Sequence, residues 1–309
     1  MKVIFMGTPD FAVPTLKKLH EKGHDILLVV TQPDKPSGRG KKLKKSAVKE
    51  AAEELGLKVF QPDRIKKAEN AEILKKLQSD AIVVVAYGQL LSKEILNIPR
   101  LGCINVHASL LPELRGAAPL NWSIINGCVR TGVTTMMMDV GLDTGDMLLK
   151  KEVEIDRYMN VGQLHDLLME TGADLLTETL EKIEDGTAVR TKQDDRLSSY
   201  APMLDKQTQT IRWQDKASNI HNLIRGLSPW PAAFFHLDEK MVKVYSSDFS
   251  EEATNHEPGF VLKADSDGIV VAAGQGTVIL KEIQMPGKTR MTVEAFLRGN
   301  SFPISVTLK

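Results

Sequence analysis

Three side chains of complementary chemistry lie in the middle of the sequence. Asn105 and His107 are two residues apart, and Asp143 follows in a glycine-broken, carboxylate-rich loop at Asp139–Asp146. These groups suit acyl transfer to nitrogen: the amide can donate to a tetrahedral oxyanion, and the imidazole can donate a second hydrogen bond or move the proton an attacking amine must lose. The carboxylate can orient or charge the imidazole. Taken alone, however, an Asn-x-His pair on a strand is usually structural, and such an aspartate is usually a turn residue.

The elements that must position these residues are indicated by short apolar runs alternating with helix-period segments in the first half of the chain. β-branched runs separated by helices predict a mostly parallel Rossmann-like sheet with helices on both faces. Asn105 and His107 lie in the predicted strand Ile104–His107, so their side chains share one face. Ligands bind beyond the carboxyl ends of such strands. We therefore expect the loop after the predicted strand Val133–Met138 to open at the same edge.

The second half of the chain has a different pattern of apolar and polar residues. A polar stretch without clear periodicity is followed by short alternating runs such as Ala233–Leu237 and Gly268–Ala272, with Gly-rich turns between them. Several short strands at this spacing predict a small OB-like β-barrel. We therefore predict an N-terminal domain over residues 1–189, a linker over 190–205 and a C-terminal domain over 206–309. Ser228–Pro231 is interpreted as a rigid, buried corner.

Composition restricts the class of protein. The 309 residues carry a formal net charge of +0, so any contact with nucleic acid must come from a local basic patch. Cys103 and Cys128 form neither a CxxC pair nor a metal-ligand spacing, which predicts buried thiols in a reducing compartment. No run approaches the roughly 20 apolar residues of a membrane-spanning helix, and the first residues do not form a signal-like segment. We expect a cytoplasmic, monomeric protein without a metal ion.

The run INVHASLLPELRG at residues 104–116, followed by GLDTGD at 141–146, resembles the motifs of the folate-dependent formyltransferases. The resemblance implies that Asn105, His107 and Asp143 are the catalytic trio and that the formyl donor is 10-formyltetrahydrofolate. One departure is Leu114, where an aromatic residue often precedes the Arg-Gly pair. The resemblance also implies a set of folate-binding residues: Tyr87, Gly88, Ser109, Leu110, Leu111, Pro112 and Asp139.

The similarity extends over nearly the whole chain to the family branch that formylates methionyl-tRNA, including MGTPDFAVP at Met6–Pro14 and VTQPDKPSGRGKKL at Val30–Leu43. It implies that the acceptor is the α-amino group of methionine on initiator tRNA. The segment Lys35–Lys45 holds six basic residues and two glycines; such loops are often only solvated surface, but this one suits the end of an RNA acceptor stem. We expect the following residues to bind tRNA: Arg39, Lys41, Lys42, Lys44 and Lys45, and in the C-terminal domain Lys206 and Lys281.

Other functions remain open at this point. The nearest alternatives are a formyltransferase acting on an aminosugar nucleotide and a non-catalytic RNA- or folate-binding protein on the same scaffold. A glycinamide ribonucleotide formyltransferase would have a glycine-rich phosphate loop after the first strand, whereas Gly7–Asp10 offers one glycine and a carboxylate that repels phosphate. A nicotinamide dehydrogenase is excluded because no G-x-G-x-x-G follows that strand.

Overall fold

The computed structural model describes residues 1–37 and 42–308, and these form two compact units. Unit 1 comprises Met1–Gly116, Thr131–Val153 and His165–Ala201. Unit 2 comprises Ala117–Arg130, Glu154–Leu164 and Pro202–Lys309. Two segments of the predicted N-terminal domain therefore cluster with the C-terminal part, a division that a single boundary in the sequence does not express. The domain boundaries predicted at residues 189 and 206 remain predictions.

The secondary structure alternates strands and helices in the first half and is rich in strands in the second. The helices are α1 (Val13–Glu21), α2 (Ala47–Glu54), α3 (Ala68–Lys76), α4 (Lys93–Leu96), α5 (Pro119–Ile125), α6 (Val161–Glu184), α7 (Lys206–Gln209), α8 (Ala217–Gly226) and α9 (Val293–Leu297). The strands are β1 (Lys2–Gly7), β2 (Asp25–Val30), β3 (Lys35–Ser37), β4 (Lys42–Lys44), β5 (Val59–Phe60), β6 (Ala81–Val85), β7 (Cys103–His107), β8 (Arg115–Gly116), β9 (Arg130–Met137), β10 (Met147–Glu154), β11 (Tyr200–Ala201), β12 (Ala233–Leu237), β13 (Lys240–Ser250), β14 (Val261–Asp265), β15 (Gly268–Ala272), β16 (Thr277–Gln284) and β17 (Met291–Thr292).

A mostly parallel sheet forms the centre of unit 1, with strand order β10-β9-β7-β6-β1-β2-β5. The pairs β1–β2, β1–β6, β2–β5 and β6–β7 are parallel. Every residue of β6 and β7 is buried, as expected for central strands whose apolar runs are covered on both faces. This confirms the predicted Rossmann-like sheet.

The direction of β9 differs from the sequence-based expectation. β9 runs antiparallel to β7, with Ile104 opposite Met137 and His107 opposite Thr134. The end of β9 therefore lies beside the start of β7, and the Asp139–Asp146 loop leaves the sheet at the edge opposite to the one predicted. Apolar periodicity predicts a strand but not its direction, so the expected exit of this loop at the carboxyl edge of the sheet was wrong, although Oδ2 of Asp143 still lies 3.7 Å from Nδ1 of His107.

Unit 2 is built around an antiparallel sheet of order β12-β13-β16-β15-β14, with β17 paired to β16. Alternating buried residues along β13 and β16 face a core that includes Trp213 and Phe235, whose rings meet edge-on with centroids 5.7 Å apart. No closed sheet is found among the described residues, so the structure supports an antiparallel C-terminal sheet. The Ser228–Pro231 corner is buried only in part: Ser228 is 1% exposed as predicted, whereas Trp230 is 79% exposed.

The polar stretch predicted as a linker has defined structure in its middle part. Gln193 is buried, Asp195–Leu197 forms a short 3-10 turn, and β11 pairs in parallel with β8. The backbone N–H of Arg115 donates to the carbonyl of Ser199 over 2.9 Å. Residues 193–201 are therefore part of unit 1 and lie against the segment that follows the Asn-x-His strand.

Candidate active site

Asn105 and His107 lie on the buried central strand β7, 9% and 6% exposed respectively. Their spacing puts both side chains on one face of the pleated sheet. Within the described ranges 1–37 and 42–308, no group hydrogen-bonds the side-chain amide of Asn105. Its amide atoms are not among the fully buried polar groups left without a partner, so they reach solvent and are open to an external acceptor.

The orientation of His107 is set by a main-chain carbonyl. Its Nε2 lies 3.0 Å from the oxygen of Leu114. Because a carbonyl can only accept, Nε2 must carry a proton. The opposite ring nitrogen, Nδ1, lies 3.7 Å from Oδ2 of Asp143, which is an ion-pair distance for a charged imidazole but too long for a hydrogen bond. Leu114 therefore holds the ring, and Asp143 acts on it through charge.

Asp143 is held close to His107 by the backbone of the Arg115–Gly116 strand. Its Oδ2 accepts a hydrogen bond from the Gly116 amide over 2.8 Å, although its own φ of +55° is unusual for a non-glycine residue. A Cβ at Gly116 would lie 2.5 Å from the ring of Tyr200 and 2.8 Å from the carbonyl of Ala201. Only glycine fits here, and the fit brings its N–H to the carboxylate.

Hydrogen bonds within the loop and to Thr134 on β9 fix the predicted folate segment Ser109–Pro112. Ser109 and Leu111 are fully buried; the Ser109 hydroxyl donates to the carbonyl of Glu113 over 2.6 Å. The hydroxyl of Thr134 donates to the carbonyl of Ser109 over 2.7 Å and accepts from the Leu111 amide over 3.1 Å. The side chains of Ser109 and Leu111 thus serve the loop itself, whereas those of Leu110 and Pro112 are half-buried and reach the surface.

Lys150 also acts on this segment. Its ammonium group donates to the carbonyl of Leu111. Burial lowers the pKa of Lys150, while Coulombic attraction to Glu113 raises it. The predicted folate segment is therefore tied to a cationic side chain on β10.

The remaining predicted folate residues have contrasting environments. The Tyr87 side chain is 1% exposed in the core of unit 1, and burial raises its pKa to about 12. Gly88 is exposed and has a φ of +83°. The carboxylate of Asp139 accepts from the Gly141 amide and the Thr144 hydroxyl, so it shapes its own loop. Of these, only the Gly88 backbone and the Asp139 carboxylate edge are accessible to a ligand.

Sequence reasoning missed the residues that fix the trio in place. Arg115 and Gln193 form a hydrogen-bonded pair, and Gln193 donates to carbonyls of the Asp143 loop. The hydroxyl of Ser199 accepts from the amide of Leu114 over 2.9 Å. Arg115 stands in the recognised run, but Gln193 and Ser199 lie in an aperiodic polar stretch. No local pattern could have identified them, because their role depends on contacts distant in sequence.

The predicted tRNA-binding residues lie in both units. Arg39 and Lys41 fall outside the described residues, and Lys42 pairs through its backbone with Ser37 in the β3–β4 ribbon. Lys44 is exposed on that ribbon. Lys45 forms a 2.6 Å ion pair with Glu53, and this hydrogen bond raises the pKa of the exposed Lys45 amine.

In unit 2, Lys206 begins α7 and is exposed, and Lys281 donates to the carbonyl of Asp267 over 2.5 Å.

Other kinds of site have less support. Within the described chain, no cluster of three or more His, Cys, Asp or Glu side chains could hold a metal ion. Burial raises the pKa of the Cys103 thiol to about 12, which keeps it in the unreactive neutral form. None of the helices in the described part has the length and apolarity to cross a membrane.

Comparison with known proteins gives matches over most of the chain. Residues 1–180 match the family model for formyl transferases, and residues 203–301 match the model for the formyl transferase C-terminal domain. A methionyl-tRNA formyltransferase of Clostridium novyi is 54% identical over 310 aligned residues, covering 100% of both chains.

Solved structures share the fold at low sequence identity. An N-formyltransferase from Helicobacter canadensis, in complex with folinic acid and dTDP-3-aminofucose, superposes with a TM-score of 0.69 at 19% identity, covering 91% of this chain and 99% of that one. HypX from Aquifex aeolicus, in complex with tetrahydrofolic acid, gives a TM-score of 0.65 at 15% identity over 97% of this chain and 47% of its own.

Proposed function

Because the chain belongs to the methionyl-tRNA formyltransferase family, we propose that Asn105, His107 and Asp143 are the groups with which it performs that reaction. The chain is a one-carbon transferase that formylates methionyl-tRNA for the initiation of translation. Its formyl donor is a folate derivative, as in the family. What we add is the assignment of the chemistry to particular side chains.

The observation on which the assignment rests is that Asn105, 9% exposed and without a hydrogen-bonding partner among the described residues, shares a face of β7 with His107, whose Nδ1 lies 3.7 Å from Oδ2 of Asp143. Attack of the methionine amine on the formyl carbon creates a tetrahedral centre whose oxygen becomes negative. In our proposal Asn105 Nδ2 donates to this oxygen, and its preorganised N–H pays no reorganisation cost during the reaction. An aliphatic residue at this place would leave the oxyanion without that donor.

The proton balance defines the roles of the other two groups. A carbon–nitrogen bond forms to the methionine amine, which must lose one proton, and the carbon–nitrogen bond to the folate breaks, leaving a nitrogen that must gain one. We assign His107 either to a second hydrogen bond on the oxyanion or to this proton transfer, in which Nδ1 accepts the proton from the amine and returns it to the folate nitrogen, with the Asp143 carboxylate stabilising the positive charge that forms on the ring. No side-chain nucleophile is needed, since the amine itself attacks.

For the donor we propose 10-formyltetrahydrofolate, bound along Ser109–Pro112 and the Asp139–Gly145 loop. The half-buried side chains of Leu110 and Pro112, the exposed Gly88 backbone and Asp139 offer accessible contacts, whereas Ser109, Leu111 and Tyr87 would act through backbone or packing. The unpaired Asn105 amide is the polar group that fits a formyl oxygen. Complexes of two structural relatives with folates support this choice of donor.

For the acceptor we propose initiator tRNA held by two basic surfaces. Arg39, Lys41, Lys42, Lys44 and Lys45 would contact the acceptor stem, and Lys206 and Lys281 of the C-terminal domain (206–309, after a linker at 190–205) would contact the tRNA body through phosphates. An OB-like strand arrangement in that domain, a monomeric state and a cytoplasmic location are parts of the same proposal.

The test is a formylation assay with purified protein, 10-formyltetrahydrofolate and methionyl-initiator tRNA. We expect formyl-methionyl-tRNA, and Asn105→Ala should abolish most turnover while the tRNA still binds. A dTDP-linked aminosugar serves as the competing acceptor. Formylation of the sugar but not of the tRNA would reject the proposed acceptor, and normal turnover by Asn105→Ala would reject the assigned residue.

A further inference from the structure

Gln193 is a buried residue of unit 1 to which the proposed reaction assigns no role. It is 6% exposed, yet its side chain is polar and carries no charge. Its Nε2 donates to the carbonyl of Asp143 and to the carbonyl of Gly145, both over 2.8 Å. Its Oε1 accepts from Nε of Arg115 over 3.0 Å and from Nη2 of Arg115 over 2.8 Å. Both amide hydrogens and both lone pairs are thus engaged.

The chemistry of these partners determines which way the amide faces. Two main-chain carbonyls can only accept, and a guanidinium can only donate, so the nitrogen must face Asp143 and the oxygen must face Arg115. Asp195 accepts a further hydrogen bond from Nη2 of Arg115 over 2.8 Å and fixes the guanidinium. A carboxylate at position 193 would keep the Arg115 contact and lose both donors to the loop.

Both strained residues beside His107 are held from the same stretch of chain. Asp143 and Leu114 each have a φ of +55°, a conformation that is unfavourable for a non-glycine residue and persists only where surrounding contacts impose it. Gln193 binds the carbonyl of Asp143, and Ser199 accepts from the amide of Leu114. Leu114 in turn supplies the carbonyl that orients His107.

We propose that Gln193 is a positioning residue for the formyl transfer, which holds the Asp143 carboxylate at its working distance from His107 by fixing the Asp143–Gly145 backbone to Arg115. The inference rests on the proposed roles of His107 and Asp143. Because Gln193 does not touch the reacting atoms, it acts only through Asp143. It should therefore govern the rate of the bound complex and not the affinity for methionyl-tRNA.

The first test is Gln193→Glu, which keeps the shape and the Arg115 contact but points an acceptor at two carbonyls. A displacement of about 1 Å at a reacting group can cost on the order of 100-fold in rate. We expect kcat to fall by roughly 10- to 100-fold, with the KM for methionyl-tRNA changed by less than about twofold. Arg115→Lys, which leaves Gln193 intact and removes the bidentate donor, should lower kcat in the same direction by a smaller factor.

The decisive measurement is a double-mutant cycle with Asp143→Asn, read by single-turnover rates at high enzyme concentration. If Gln193 acts through the Asp143 charge, adding Gln193→Glu to Asp143→Asn should lower the rate by less than about twofold. An additive loss, equal to the one that Gln193→Glu causes alone, would mean a general structural role and would overturn the inference. So would an unchanged kcat in the single variant.

Gln78→Glu is the matched control, since Gln78 is exposed in the turn before β6 and the substitution is chemically the same. Its kcat and thermal midpoint should equal those of the wild type. Failure of the proposed function is distinguishable: in that case the wild-type protein itself forms no formyl-methionyl-tRNA. The inference about Gln193 is judged only by differences from an active wild type.

Discussion

The Asn105 amide differs from its two neighbours in what already binds it. His107 is occupied by the Leu114 carbonyl, and Asp143 accepts from the Gly116 amide. Asn105 has no hydrogen-bonding partner in the chain as described, 1–37 and 42–308. A single oxyanion donor of this kind contributes about 10²- to 10³-fold in rate. At the residue scale, the proposed trio thus divides into one side chain without a hydrogen-bonding partner among the described residues and two whose side chains already have one.

Replacing Asn105 by alanine should lower kcat by roughly 100- to 1000-fold and leave the fold intact, because the amide makes no internal bond. Steady-state formylation and a thermal melt measure the two effects. Asn70→Ala is the control: Asn70 is 5% exposed and donates to the carbonyl of Arg64, so its loss should reduce stability but not kcat. A lower melting point for Asn105→Ala with normal turnover would contradict this division.

A second residue-scale prediction concerns His221, buried in unit 2 between the Ser247 hydroxyl and the Arg157 carbonyl. Burial lowers its pKa below 6.5, Arg225 and Arg157 lower it further, and Asp248 and the hydrogen bond to Arg157 oppose this. The folded state therefore holds His221 neutral while the unfolded chain takes up a proton. The contribution of neutral His221 to the free energy of unfolding is fully present above pH 6.5. It is lost as the pH falls through the folded-state pKa of His221, by at most about 1.4 kcal/mol per pH unit.

Thermal midpoints at pH 7.5 and pH 5.5 check this sign. The wild-type midpoint should fall on acidification, and His221→Asn, less stable at pH 7.5, should lose less between the two values. An equal loss in both proteins would assign the acid sensitivity to other groups.

At the element scale, the loop after β7 depends on β9 for its shape. The Thr134 hydroxyl bonds both the Ser109 carbonyl and the Leu111 amide, and Thr134 is fully buried. The antiparallel pairing of β7 with β9 places Thr134 opposite His107. The strand direction that the sequence did not predict is thus what supports the proposed folate segment.

Thr134→Val should loosen this loop, because two buried main-chain groups lose their partner at about 1–3 kcal/mol each. We expect weaker binding of 10-formyltetrahydrofolate, measured by titration, together with a lower melting point. Thr177→Val is the matched control: Thr177 is buried on α6, and its hydroxyl donates only to the Ala173 carbonyl one turn earlier. Equal losses of folate affinity in both variants would remove Thr134 from the folate site.

At the scale of the whole molecule, unit 2 is assembled from distant parts of the chain. Within it, the side chain of Asn121 on α5 donates to the carbonyl of Gly226 at the end of α8, and the indole of Trp122 donates to the carbonyl of Pro202, both over 2.8 Å. Ile125 packs against the core of the C-terminal sheet. A cut in the predicted linker before Pro202 would separate α5 from these partners.

A fragment of residues 206–309 should therefore unfold at lower denaturant concentration than unit 2 does in the full chain, with a broader transition. Urea titration followed by tryptophan fluorescence is the measurement, since Trp213 lies in this core. A fragment with the same midpoint as the full chain would show that α5 is dispensable and that the predicted boundary at 206 is a folding boundary.

Much of the function could be read from local sequence. The two-residue spacing of Asn105 and His107 dictates a shared face on any strand, and the apolar runs around them identify the strands. The formyltransferase motifs and the full-length similarity to the methionyl-tRNA branch are confirmed by the family matches and by relatives at about half identity. These features depend on residues close together in the chain, which is why pattern and spacing suffice.

Tertiary structure alone decided how the trio is held. Strand direction, the left-handed backbone at Leu114 and Asp143, and the partners Gln193 and Ser199 arise from contacts between segments far apart in sequence. The exposure of Trp230 and the recruitment of α5 into unit 2 have the same origin. Hydrophobic periodicity reports which residues are buried but not which segments they meet, so the sequence determined which groups we propose to react, and the fold determined their geometry.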